Sequence, residues 1–249
     1  MIPYFPQPAL HVGPLTLHAF GILATIGIVV GFWMVVRRAR ATCFPVATAR
    51  RWTVWVVVAG LFGAAGFRAL LFGAGSAGPS PYPGIYSFGG LLTGLAMAGV
   101  LAASERSGRL LFHYLDLLGY AFPFAWTFGR AGCFLAHDHR GVFTAHVLGV
   151  RFPEGTRFDL GLLEMLFSIC VAAVLLRLGA RPRHRAFFFG LILALYGPYR
   201  LFQDTLNVLP VTMSQSPDQW FTLAATAGGV TVLWSTRRAG VTSRATSGL

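Results

Sequence analysis

Seven apolar runs, bounded by arginine or by glycine and proline, constrain this chain more than any other feature. They are Leu15–Val36, Trp52–Phe72, Tyr86–Ala103, His113–Cys133, Leu160–Leu178, Ala186–Gln203 and Gln219–Ser235. A helix needs ~20 predominantly apolar residues to cross the hydrocarbon core of a bilayer. Seven such helices with short connections use up the 249 residues. Only 11% of the residues are charged and the mean hydropathy is +0.63, whereas a soluble domain carries about a quarter charged residues. The expected architecture is an all-α polytopic membrane protein, one transmembrane helical domain over residues 1–249 with a short polar outer loop at about 137–158. Small residues recur within the runs, as in GLFGAAG and GGLLTGLAMAG, and let helix backbones approach closely in lipid.

All 20 basic residues are arginine, and the net charge is +12. In a soluble chain that balance would suggest nucleic acid. Here the arginines gather at the ends of apolar runs, which is the pattern that orients membrane proteins, so nucleic acid is not an expected partner. One set of alternate connections holds Arg37, Arg38, Arg40, Arg50 and Arg51, then Arg106 and Arg109, then Arg177, Arg181, Arg183 and Arg185, and finally Arg237, Arg238 and Arg244. The other set holds only Arg140, Arg151 and Arg157. The positive-inside rule places the first set in the cytoplasm, with the N-terminus outside and the C-terminus cytoplasmic. An even number of helices would break the alternation. The opening MIPYFPQPALHVGP has no basic n-region and no small-residue cleavage site, so no signal peptide is expected. Gly73–Ile85 reads as an uncharged outer connector. No internal repeat is visible, which argues against a transporter built from inverted halves.

Three arginines, Arg68, Arg130 and Arg200, fall within or at the ends of the runs. Each costs ~2.5–3.5 kcal/mol to insert at a helix centre, so each calls for a partner or water. Asp116, Glu164 and Asp204 are the candidate counter-charges. Ion pairs that only fix packing are one account. For Arg130 (FGRAG) and Arg200 (YGPYR), toward the outer ends of the fourth and sixth runs, a second account is a phosphodiester clamp, because a planar guanidinium matches phosphate oxygens. The stretch HDHRG, His137 to Gly141, offers His137 or His139 as a general base, with Asp138 to orient an imidazole or pair with arginine. A polar loop touching headgroups is the alternative. His137, Asp138, His139 and His146 contain an HxH spacing, too weak a pattern by itself for a metal to be expected. Cys43, Cys133 and Cys170 show no CxxC spacing, hence neither a disulfide scaffold nor a zinc ribbon. Cys133 is either a nucleophile or a small packing residue.

GRAGCF with the polar loop after it, SFGGLLTG and YGPYRLFQD together resemble the prolipoprotein diacylglyceryl transferase family. LTLHAFGILATIG, GFRALLF, LDLLGYAFPFAWTFGRAG, DLGLLE and SPDQWFTLAATAGG extend the resemblance along most of the chain. It implies a bacterial inner-membrane enzyme, without cofactor and monomeric, whose site lies toward the periplasmic face. That family moves the diacylglyceryl group of phosphatidylglycerol onto the lipobox cysteine thiol of a prolipoprotein, leaving a thioether. By resemblance the catalytic arginines are Arg130 and Arg200; His137, Asp138 and His139 are catalytic candidates read from the HDHRG stretch itself, which stands where the family pattern is altered. The phosphatidylglycerol contacts would be Arg130, Arg200, Gly89, Gly90, Gly141, Glu164 and Tyr196. The chain departs from the family pattern at Phe20 (tyrosine there), Phe88 (histidine), Cys133 and Ala136 (asparagines) and Asp138 (glutamate). These departures leave open a paralogue that binds anionic phospholipid or modifies another acceptor.

The arginine distribution generates a topology prediction. Cysteines introduced near Arg37–Arg51, Arg106–Arg109 and Arg181–Arg185 should label only from the cytoplasm, and those within 137–158 only from outside. Cytoplasmic labelling of 137–158 would overturn the helix count.

Overall fold

A computed structural model describes residues 1–13, 15–72, 87–181, 183–208 and 217–246. The connector Gly73–Ile85 and the side chain of Arg68 lie outside what is described. Seven helices dominate: α1 (Ala19–Ala41), α2 (Val46–Phe72), α3 (Ser87–Ser104), α4 (Gly108–Ala136), α5 (Leu160–Gly179), α6 (Phe187–Asp204) and α7 (Pro217–Thr246). Each overlaps one of the seven apolar runs, although the first four residues of the run Leu15–Val36 form a strand rather than helix. Among the described residues α1 and α5 are long and apolar enough to cross a membrane, and Phe88–Ser104 is a shorter apolar helix. Large apolar side chains stand exposed along these helices, among them Ile22, Val29 and Trp33 on α1, Phe62 and Leu70 on α2, and Ile169 and Val174 on α5. Water would penalise such a surface, whereas lipid accepts it.

The chain divides into two compact units, one of residues 32–118 and one of residues 1–31 with 119–249. In the first, α2 and α3 pack along their lengths. The contact is made by backbone, since a Cβ on Gly90 would meet the Gly60 carbonyl oxygen at 2.9 Å. Thr93 Oγ1 donates across it to the Ala59 carbonyl at 3.0 Å. At the arginine-rich ends, Glu105 accepts from Arg51 and from Trp52 Nε1.

In the second unit the expectation of an all-helical chain needs a correction. Much of the segment expected as a polar loop is β-sheet. β1 (Ile2–Pro3), β4 (Arg140–Phe143), β5 (Val150–Phe152) and β6 (Gly155–Asp159) form one sheet in the order β1-β5-β6-β4, and β2 (Ala9–Val12) pairs with β3 (Leu15–His18) in a separate hairpin. β1 runs parallel to β5, and the other pairs are antiparallel. The physical reason is visible in β5, where Val150 and Phe152 are buried and Arg151 is exposed. That period-2 alternation specifies a half-buried strand. Gly155, at φ 128°, makes the turn into β6 in a region that other residues rarely adopt.

A buried pair joins this sheet to the helices. α4 ends at His137, whose φ of 51° is left-handed, so the imidazole turns inward. His137 Nδ1 lies 2.7 Å from Asp159 Oδ2, and the ring is surrounded by Tyr4, Phe5, Phe134 and Phe152 at centroid distances of 4.6–5.6 Å. Asp159 also caps α5, its Oδ1 accepting from the Leu162 N–H at 3.2 Å. Burial pushes the Asp159 carboxyl above the usual carboxylate range, against the opposing pull of His137 and the cap. His137→Ala should therefore cost about 1–3 kcal/mol, the penalty for stripping a buried polar group of its partner. Thermal unfolding in detergent measures it, with His139→Ala as the control that should scarcely move. Equal shifts in both variants would remove His137 from the architecture.

Candidate active site

The polar centre of the second unit forms where α4, α5 and α6 bring charge together. Glu164, one turn into α5, is fully buried. Its Oε1 accepts from Trp126 Nε1 at 2.7 Å and from the Tyr196 hydroxyl at 2.5 Å. The same oxygen lies 3.0 Å from Arg130 Nε, and Oε2 lies 4.0 Å from Arg200 Nη1. One carboxylate thus stands between the two guanidinium groups that the sequence singled out. Helical spacing explains the array: Trp126 and Arg130 are four residues apart on α4, and Tyr196 and Arg200 four apart on α6, so each pair shares a face. Arg130 also lies over the Trp126 ring, 4.7 Å from its centroid.

The two arginines are not equivalent. The Arg130 side chain is 8% exposed and that of Arg200 30%. Arg200 Nη1 donates to Gln203 Oε1 at 3.1 Å, and its Nε lies 3.5 Å from Asp204. Gln203 in turn donates from Nε2 to the Leu160 carbonyl at 2.8 Å, fixing α6 to the start of α5. Of the candidate counter-charges, Glu164 and Asp204 serve these arginines, while Asp116 is buried in the other unit.

Below Arg130 lies a second group. Arg130 Nη1 is 3.8 Å from Cys133 Sγ. Atoms of Cys133, Asp138 and His139 lie within 4.8 Å of one another, and His139 Nδ1 is 2.5 Å from Asp138 Oδ1. His139 and Asp138 are 39% and 19% exposed at their side chains, whereas His137 is turned away toward Asp159. The two histidines of the HxH stretch therefore have different surroundings. His146, the fourth residue of the sequence pattern, packs on Phe158.

The glycines fall in different places. Gly141 is buried in β4, where Val142 N–H donates to the Leu206 carbonyl at 2.9 Å. A Cβ on Gly141 would meet that same carbonyl oxygen at 2.8 Å. Gly89 and Gly90 belong to the other unit, where they let α3 lie against α2. Sequence reasoning passed over Trp126 and Gln203. Their spacing from Arg130 and Arg200 was the available signal, four and three residues along a helix.

These helices and their buried ionic centre define a mostly helical membrane protein with a charged site built from three helix ends. A sequence model of the prolipoprotein diacylglyceryl transferase family matches residues 7–235, and the chain belongs to that family. It is 30% identical over 230 residues to a phosphatidylglycerol–prolipoprotein diacylglyceryl transferase of Frankia alni, covering 83% of this chain and 59% of that protein. Similar proteins of the same description occur in Chromohalobacter salexigens, 29% identical over 92% of each chain, and in Pseudomonas aeruginosa, 25% identical over 95% of this chain and 96% of that one. The chain thus spans about three-fifths of the Frankia relative and nearly all of the other two.

Glu164→Gln should keep the contacts to Trp126 and Tyr196 but leave Arg130 without its counter-charge. Breaking a buried pair from one side costs ~3–5 kcal/mol, read as a lower unfolding midpoint in detergent. Trp126→Phe removes one hydrogen bond and should cost about 1 kcal/mol. A Glu164→Gln protein as stable as the wild type would show that the pair does not hold the site.

Proposed function

We propose that the chain transfers the diacylglyceryl group of phosphatidylglycerol to the lipobox cysteine thiol of prolipoproteins. The observation that carries this reading is the single carboxylate, Glu164, shared by Arg130 and Arg200. A buried cation at Arg130 and an accessible one at Arg200 suit a phosphodiester monoanion arriving from the Arg200 side. The thiolate sulfur of the acceptor attacks the glycerol carbon that bears the phosphate. A C–S bond forms as the C–O bond breaks, and the electron pair passes to the phosphate oxygen. Glycerol phosphate leaves, its developing charge stabilised by the two guanidinium groups, which a low-dielectric site makes most effective.

Glu164 and Tyr196 position Arg130 in this scheme. The thiol loses its proton at the Asp138–His139 corner, which is partly exposed and close to Arg130, rather than at His137, which is committed to Asp159. Gly141 contributes as a site of close approach, while Gly89 and Gly90 let α3 lie against α2. Seven spans, with the N-terminus outside and the site toward the periplasmic face of the bacterial inner membrane, agree with the arginine distribution. The resemblance to the family implies that the chain acts as a monomer.

The test uses purified protein, phosphatidylglycerol and a lipobox peptide with one cysteine. Mass spectrometry should show the peptide heavier by one diacylglyceryl group, and phosphatidylethanolamine should be a poor donor. Arg130→Lys and Arg200→Lys should each lose about 100-fold or more, since an ammonium cannot reproduce the fork and one donor to a developing anion is worth that much. Tight binding of phosphatidylglycerol with no peptide modified, under conditions where a relative works, would overturn the transferase reading.

A further inference from the structure

The chain places a thiol, a carboxylate and an imidazole at one point beside the phosphate-binding arginines. Cys133 Sγ, an Asp138 carboxylate oxygen and a His139 ring nitrogen lie mutually within 4.8 Å. Zinc binds sulfur at ≈ 2.3 Å and nitrogen or oxygen at ≈ 2.0–2.2 Å, so tetrahedral ligand atoms sit roughly 3.3–3.6 Å apart. The three atoms lie at most about 1.5 Å beyond that spacing. Three protein ligands leave the fourth position for water or substrate, which is the arrangement of catalytic rather than structural zinc. Sulfur in the set selects zinc over magnesium or calcium.

We infer that Cys133, Asp138 and His139 form a zinc site that binds the acceptor cysteine as its fourth ligand. The inference rests on the diacylglyceryl-transfer reading for its substrate, and it specifies how the Asp138–His139 corner acts. Charge supports it. Zinc with one thiolate and one carboxylate is neutral, and the incoming thiolate makes the complex a monoanion. Arg130, 3.8 Å from Cys133 Sγ, faces that anion, while its own charge is held by Glu164. Access supports it as well, since His139 and Asp138 are partly exposed while Cys133 is buried. A metal-coordinated thiol is deprotonated outright, so the acceptor gives up its proton to water on binding. Its zinc-held sulfur then forms the C–S bond as the C–O bond to phosphate breaks, the electron pair leaving with glycerol phosphate. No redox change and no further reactant is needed.

The full chain, purified in detergent, is loaded with zinc, freed of excess metal and analysed for bound metal. The expected result is one zinc per chain, lost in Cys133→Ala and in His139→Ala but kept in Cys43→Ser/Cys170→Ser. Cobalt replacement guards against misfolded variants. The wild type and Cys43→Ser/Cys170→Ser should show a near-ultraviolet thiolate-to-cobalt band that Cys133→Ser lacks. A lipobox peptide should strengthen that band, and the same peptide with serine for cysteine should not. Zinc absent from active protein, or bound equally after loss of Cys133 and His139, overturns the site and leaves the transferase reading standing. Zinc bound through Cys133 in a protein that transfers no lipid keeps the site and overturns the transferase reading.

Discussion

A carboxylate buried between two guanidinium groups is the interaction on which the rest of the second unit depends. An isolated arginine in a low-dielectric interior carries a desolvation penalty of several kcal/mol. Glu164 offsets it for Arg130, and Trp126 and Tyr196 hold the carboxylate in place. Because these residues come from three helices, the ion pair also fixes how α4, α5 and α6 meet. Gln203 extends the arrangement by tying Arg200 to the backbone at the start of α5. The geometry that makes the pair tolerable is the same geometry that leaves the edge of Arg200 accessible. On the proposed function, that edge is where a phosphodiester enters.

Beside this centre, the sheet and the His137–Asp159 pair set the position of the polar corner. The left-handed turn at His137 ends α4 and sends the chain into Asp138 and His139. Had the helix continued, those two side chains would have rotated away from Cys133. Tyr4 and Phe5, which follow β1, and Phe152 of β5 close over His137, which explains why adjacent members of one short motif have unlike surroundings. Structural and chemical roles are separated by two residues of sequence.

Membership of a transferase family with several altered positions poses a chemical question. By the resemblance, Cys133 and Ala136 stand where the family pattern has asparagine, and Asp138 where it has glutamate. His139 lies against Asp138 and near Cys133. On the inference of a zinc site, the same substitutions that remove hydrogen-bonding groups assemble a ligand set. Thiol activation would then be moved from side-chain proton transfer to a metal, while the arginine clamp on the leaving phosphate is retained.

Seven helices were legible because apolar length is a local property, and Arg130, Arg200 and Glu164 stood out because charge within an apolar run is costly wherever the helix packs. Helical spacing would also have joined Trp126 to Arg130 and Gln203 to Arg200. The sheet was harder to see, since its strands have only two to five residues and β1 pairs with β5 across roughly 150 positions of sequence. Nor could the HDHRG stretch reveal which histidine was buried, because that follows from one backbone angle at His137 and from aromatic rings, Tyr4, Phe5 and Phe152, that are distant in sequence. The sequence by itself determined a helical, lipid-facing chain with two arginines that need partners. Tertiary structure alone decided that one glutamate serves them both and that Cys133, Asp138 and His139 converge, because those relations depend on distances between elements that no local pattern encodes.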